Sequence, residues 1–153
     1  MTSPKSVSRT APSAVAANTI VSSLLTVQTS GAGFTDLTAE VAKFVADARA
    51  REGAVTLFIR HTSASLTIQE NADPTVLVDL TTALNRLAPE NAPWRHDTEG
   101  PDDMPAHIKT MLTATSLHIP VLQGALALGM WQAIYLAEHR ARPHRREVVL
   151  QFI

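Results

Sequence analysis

The chain has 153 residues, of which 45% are hydrophobic and 18% charged; its net charge is −1 and it has no cysteine. That length suits one domain, able to withdraw roughly 70% of its unfolded surface from water, and the balanced charge offers no broad basic field for nucleic acid or anionic lipid. Without thiols there are no disulfides, no thiolate catalysis and no cysteine-held zinc, and no apolar run nears the roughly 20 residues of a membrane span.

Residues 1–18, MTSPKSVSRTAPSAVAAN, are rich in Ser, Ala and Pro and carry Lys5 and Arg9 but no acid. They lack the apolar core and cleavage-like end of a targeting peptide and are expected to be a disordered extension. The folded domain is expected over 19–153. Residues 20–29 are β-branched and apolar and predict a strand, followed by a turn at Gly31 and Gly33. Leu37, Val41, Phe44, Val45 and Ala48 recur at helical spacing, with Gly53 as a C-terminal stop.

Residues 54–60 are nearly all apolar and predict a buried strand; 65–69 alternate and predict a second. Asp73 and Pro74 form a helix start, a capping carboxylate before a first-turn proline. Leu77, Leu80, Leu84 and Leu87 then make a stripe expected in the core. Residues 88–103 show no periodicity and are dense in titratable groups, which favours a functional loop. Asp103 and Pro105 can open a short helix carrying His107, Ile108, Met111 and Leu112. From Leu117 a β-meander is expected: LHIPVL, a Gln123–Gly124 turn, a long strand or a bent pair through ALALGMWQAIYLA, a turn at Arg140–His144, and a last strand EVVLQFI. Several strands with about three helices and no regular βα alternation argue for a single α+β domain.

Three stretches could carry chemistry. In 61–74, His61 stands with Thr62, Ser63 and Ser65, then Glu70, Asn71 and Asp73. The hydroxyls could hold a phosphate, and His61 could act as acid, base or metal ligand; Asp73 reads better as a helix cap. In 96–109, His96 and His107 bracket Asp97, Glu99, Asp102 and Asp103, with Lys109 following. Imidazole with carboxylate suits Zn²⁺ or Mn²⁺, and carboxylate with water suits Mg²⁺. In 138–147, EHRARPHRRE, the arginines Arg140, Arg145 and Arg146 could form an anion subsite, since the guanidinium fork matches phosphate. A solvated acidic loop and a solvated basic turn are the plainer readings of the last two. His118, Trp94 and Trp131 read as structural. No nucleophile elbow and no Walker or Rossmann glycine loop occurs.

The runs LFIRHTSASLTIQENADPTVLVDL, HDTEGPDDMPAHIK and SLHIPVLQGALALGMWQAIYLAEHR resemble the YjbQ-like family, also described as secondary thiamine-phosphate synthases, over about residues 24–152. The resemblance implies a compact α+β fold with a mixed β-sandwich, a homotrimer, and a polar pocket near a subunit boundary. The activity it implies joins a hydroxymethylpyrimidine diphosphate to a thiazole phosphate. It carries over His61, Ser63, Asn71, His96, Glu99, Asp102, Asp103, His107 and Lys109 as site residues.

The expected assignment has His61, Ser63, Asn71, Glu99, Asp102, Asp103 and Lys109 as catalytic. Thr62, Ser65, Arg140, Arg145 and Arg146 bind a phosphorylated small molecule, and His61, His96 and His107 hold a divalent metal, Mg²⁺ or Zn²⁺. The protein is expected in the cytoplasm, with no nucleic-acid partner. Two departures stand out: where members often read GRLxLGTWQG, this chain reads GALALGMWQA, with Ala125, Met130 and Ala133 replacing Arg, Thr and Gly. The lost arginine removes an anion contact. A metal-dependent hydrolase and a non-enzymatic metabolite binder remain rival readings of the same residues.

Overall fold

A computed structural model describes residues 8–153. Part of the expected extension, residues 1–7, lies outside the described residues; residues 8–20 are exposed and carry neither helix nor strand. The elements follow in the order β1 (Val21–Gln28), β2 (Gly33–Asp36), α1 (Thr38–Asp47), β3 (Gly53–Ile59), β4 (Ala64–Glu70), α2 (Thr75–Leu87), α3 (Asp103–Leu112), β5 (Ser116–Leu122), β6 (Ala125–Leu126), β7 (Gln132–Glu138) and β8 (Arg145–Phe152).

The strands form two sheets, one in the order β1-β8-β3-β5-β6 and the other β2-β7-β4. The α+β class is as the sequence suggests, and each of these ladders is antiparallel. The C-terminal strands do not form the expected meander. β7 leaves for the smaller sheet between β6 and β8, so of the two alternatives for this stretch the pair is the one that forms, split between the sheets. At the Gln123–Gly124 turn both residues have positive φ, 52° and 84°, the signature of a tight hairpin turn.

The core lies between the sheets and under α1. Val55, Leu57 and Ile59 of β3 face it, with Leu66, Ile119, Ile134, Leu136, Val148 and, from the helix, Val41 and Val45. The expected buried strand is thus buried on its Val55–Leu57–Ile59 face, while Phe58 on the other face is 48% exposed. β7 is the doubly covered strand, buried from Ala133 through Glu138, as befits the centre of the smaller sheet.

Two helix ends differ from expectation. α1 ends at Arg49 (φ 52°), where Arg49 N donates to Ala46 O and Ala50 N to Val45 O. This is the paired-bond C-terminal cap usually built on glycine. Gly53 instead opens β3 at φ 154°, where a Cβ would stand 2.8 Å from the Phe152 ring. Asp73 does cap α2, its Oδ1 accepting from Thr75 N at 2.8 Å. The leucine stripe of α2, however, is not core. The helix has no fully buried residue, and Leu87 and Val78 are 65% and 62% exposed.

Candidate metal centre

α3 brings the site together. Asp103 opens the helix and His107 stands one turn on, so both side chains share a face. The irregular segment before α3 returns His96 to the same face. His96 Nε2 lies 2.7 Å from Asp103 Oδ2 and His107 Nε2 lies 3.7 Å from it. One ligand atom from each residue falls within 4.8 Å of the others. The two rings sit 5.4 Å apart, tilted by 53°.

The arrangement is held from behind. His107 Nδ1 donates to Thr62 O at 2.9 Å, which makes Nδ1 the protonated nitrogen and leaves the Nε2 lone pair free, as metal-bound imidazoles are ordinarily fixed. Arg140 bonds Asp103 Oδ1, bonds Asp102 Oδ2 through Nε at 3.1 Å, and donates to Glu99 O at 2.8 Å. Asp102 also accepts from Ala141 N at 2.8 Å. Burial alone would raise the Asp102 pKa, but that N–H and the guanidinium outweigh it, and the group stays below the usual carboxylate range. Asp103 Oδ2 is buried, and its polar neighbours are the two imidazole Nε2 atoms alone.

A second cluster surrounds Arg146. The register pairs Ile59 with Val148, so two residues further on His61 meets Arg146. Arg146 donates to Glu138 through Nε at 2.6 Å and Nη2 at 2.5 Å, and to Ser63 Oγ at 3.1 Å. Thr29 Oγ1 and Arg140 N complete Glu138 at 2.8 and 3.0 Å. Burial would raise the Glu138 pKa, yet the Arg146, Arg140 and Thr29 bonds hold it low. His61 Nε2 accepts from Glu147 N at 2.8 Å. Burial, then the Arg146 charge, lowers the His61 pKa and keeps the ring neutral.

Several expectations therefore change. His61 does not join His96 and His107, because its Nε2 lone pair is occupied and its Nδ1 must carry the proton. Ser65 cannot reach a substrate: it is fully buried, accepts from Thr113 Oγ1 at 2.6 Å, and lies 2.8 Å from His139 Nε2. Lys109 is buried, donates to Asn85 Oδ1 at 2.7 Å, and has its pKa lowered by burial. It faces a small cavity of about 50 Å³ with His139, away from the His96–His107 pair. Asn71 is exposed, with its backbone N bonded to Trp131 O. Arg145 is exposed and paired with Glu147 at 2.7 Å. Thr62 contributes its carbonyl, and Ser63 its hydroxyl beside Arg146. Glu99 offers Arg140 its carbonyl, while its 69% exposed carboxylate lies 3.8 Å off.

The reading by residue type missed Glu138 and His139. Both belong to the basic stretch singled out for its arginines, and the signal available was an acid and a histidine ending an apolar strand. Trp131, expected to pack, is 63% exposed. His118, expected to be structural, is an exposed cross-strand partner of Thr56 at 3.0 Å.

This is a two-sheet α+β protein with a histidine–aspartate–histidine cluster at the mouth of one helix. The match to the family described as UPF0047 protein YjbQ-like spans residues 23–153. The chain belongs to that family. It is 49% identical over 128 residues to the UPF0047 protein sll1880 of Synechocystis, covering 83% of this chain and 87% of that one. To the UPF0047 protein YjbQ of Escherichia coli O157:H7 it is 43% identical over 126 residues, covering 82% and 91%. The crystal structure of a YjbQ/UPF0047 family protein from Clostridium acetobutylicum superposes with a TM-score of 0.79 at 36% identity, covering 85% of this chain and 98% of the other. Among the described residues no helix is long and apolar enough to cross a membrane.

Proposed function

We propose that the protein is a metal-dependent enzyme acting on a small phosphorylated substrate, with a divalent cation held by His96, Asp103 and His107. The observation that carries this reading is the convergence on Asp103 Oδ2, a buried carboxylate oxygen bonded by no group outside the cluster, of two imidazole Nε2 atoms at 2.7 and 3.7 Å. Two bare lone pairs at 2.7 Å repel, and a buried carboxylate oxygen left unpaired costs roughly 1–3 kcal/mol or more; a cation shared by the three ligand atoms, or a proton on one imidazole, removes that cost. Two imidazoles with one carboxylate fit Zn²⁺ or Mn²⁺ better than Mg²⁺, which prefers oxygen ligands. When bound, the ion would supply Lewis acidity toward a phosphate or a water. The chain itself supplies orientation: the Thr62 carbonyl fixes His107, and Arg140 turns Asp103 so that Oδ2 faces the imidazoles.

The finer reading, implied by the family resemblance, is thiamine-phosphate synthesis with release of diphosphate. The donor set supports it, because a leaving diphosphate calls for charge neutralisation. The arginines support it less: Arg140 and Arg145 are committed to carboxylates. That commitment favours a second reading, metal-assisted hydrolysis, which needs fewer free cations. The homotrimer implied by the same resemblance is also proposed here. The incompletely buried leucine stripe of α2 supports it, and a solution mass matching one chain would refute it.

Protein purified without chelators is expected to carry about one Zn²⁺ or Mn²⁺ ion per chain, lost in His107→Ala and Asp103→Asn. Metal-free protein that binds no added ion would end this reading. Supplying the pyrimidine diphosphate and the thiazole phosphate then separates the two reactions, since only the synthase forms thiamine phosphate.

A further inference from the structure

The loop between β3 and β4 carries a second arrangement of donors that metal ligation does not use. His61 Nε2 accepts from Glu147 N at 2.8 Å, so in the neutral ring Nδ1 bears the hydrogen. That Nδ1–H stands 3.5 Å from Arg146 Nη1, itself a donor only. Two donors at this distance do not bond each other. Among the described residues neither has an acceptor, although Arg146 is only 4% exposed. Ser63 Oγ accepts from Arg146 Nη2 at 3.1 Å, which leaves its own O–H to donate outward. Three donors thus converge without an acceptor among them.

The surroundings match an anion. Both carboxylate oxygens of Glu147 are turned away, one toward Arg60 at 3.4 Å and one toward Arg145 at 2.7 Å. Glu138 is committed to the opposite side of Arg146. Arg146 spends its Nε and Nη2 on Glu138 and Ser63, so the group left over beside His61 is its buried Nη1, while Arg60 and Arg145 with Glu147 stand in solvent. The donors open into a cleft of about 460 Å³, bordered by Phe58 and Thr115, which falls in the size range of small-molecule sites. Thr62, between His61 and Ser63, is the residue whose carbonyl orients His107. The loop that lines the cleft therefore also orients one imidazole of the His96–Asp103–His107 cluster.

We propose that this cleft is an oxyanion subsite, taking the phosphate group of a small phosphorylated molecule through His61 Nδ1–H, Arg146 Nη1 and the Ser63 hydroxyl. His61 is then an anion-binding residue rather than a metal ligand, and the subsite uses neither Arg140 nor Arg145. The proposal deepens the metal-dependent reading and rests on it for the identity of the bound group as substrate; phosphate binding itself needs no ion.

The test titrates inorganic phosphate into the full chain, stripped of metal with EDTA, and follows backbone amide shifts by NMR. Saturable shifts confined to residues 58–63, 115 and 146–147 are expected. Ser63→Ala, which leaves the Arg146–Glu138 pair intact, and His61→Phe should each weaken phosphate binding by about tenfold, the worth of one lost charge-assisted or ring donor. Absence of saturable shifts, shifts centred instead on Arg95 or Arg142, or affinity unchanged in both variants would each overturn the subsite. Metal content is measured on the same proteins as purified. Wild-type protein that carries its ion but ignores phosphate overturns the subsite alone. Phosphate binding by a chain that takes up no ion supports the subsite and removes the metal-dependent reading instead.

Discussion

Asp103 and Glu138 make an instructive pair. Each is 2% exposed and each is held by an arginine from the same C-terminal stretch. Glu138 is saturated: Oε1 accepts from Arg146 Nη2 and Arg140 N, and Oε2 from Arg146 Nε and Thr29 Oγ1. Asp103 is held by arginine on one oxygen only, and the other faces nothing but two imidazoles. Burial and charge pairing are common to both. The leftover lone pairs separate a carboxylate that anchors the fold from one that is arranged to take a ligand.

The most severe way to break this contrast is to neutralise each acid in turn. Glu138→Gln leaves Arg146 as a buried charge without its partner and should cost about 3 kcal/mol of stability, read from urea unfolding midpoints. Asp103→Asn should cost under about 1 kcal/mol, because Arg140 keeps Asp102 at 3.1 Å and Glu99 nearby, yet it should abolish the bound ion. Equal destabilisation by the two changes would erase the distinction.

The pH dependence of the anchoring side comes next. Burial, followed by the Lys109 charge, lowers the His139 pKa to about 4, so the folded ring stays neutral beside Ser65. An unfolded histidine titrates near 6.5. Between those values the unfolded chain binds the extra proton, so this group's stabilisation is complete above about pH 6.5 and is lost as pH falls toward 4. The loss should be on the order of 3 kcal/mol, and the wild-type curve should be steeper than that of His139→Gln across this window. Parallel curves would show that His139 is protonated in the fold.

Smaller effects sharpen the same line. Thr29→Val removes one donor from the saturated Glu138 and should destabilise by about 1–2 kcal/mol while leaving metal content unchanged. Glu99→Gln alters a carboxylate that is 69% exposed and 3.8 Å from Arg140. It should move stability by less than about 0.5 kcal/mol and leave the ion in place, because the useful group of Glu99 is its carbonyl. Metal loss in either variant would mean that the two regions act as one.

Much of the layout was legible because it is local. The period of Leu37, Val41, Phe44 and Val45 forms α1, and the Asp73–Pro74 start forms α2 at the expected place. His96, Asp103 and His107 stand out in the sequence because imidazoles and carboxylates are the side chains that ligate divalent cations. The grouping was less legible. By residue type His61 groups with the other two imidazoles, and only the ladder between β3 and β8 shows that it meets Arg146 and the Glu147 amide. Ser65 looks like the hydroxyls of Thr62 and Ser63, but strand alternation turns it inward. The leucines of α2 promised a core that the described chain does not close over them. Arg49 replaces the glycine that a helix stop calls for.

The sequence by itself determined the α+β class, most of the elements, the family and the residue types available for chemistry, because periodicity, capping and motif order are properties of neighbours along the chain. The tertiary structure alone decided which imidazole keeps a free lone pair, which buried acid is satisfied and which arginines are already spent. Several of those outcomes depend on distant partners, Arg140 with Asp103 at 37 positions and Thr29 with Glu138 at 109, and a hydrogen bond forms only where the fold brings donor and acceptor within about 3 Å.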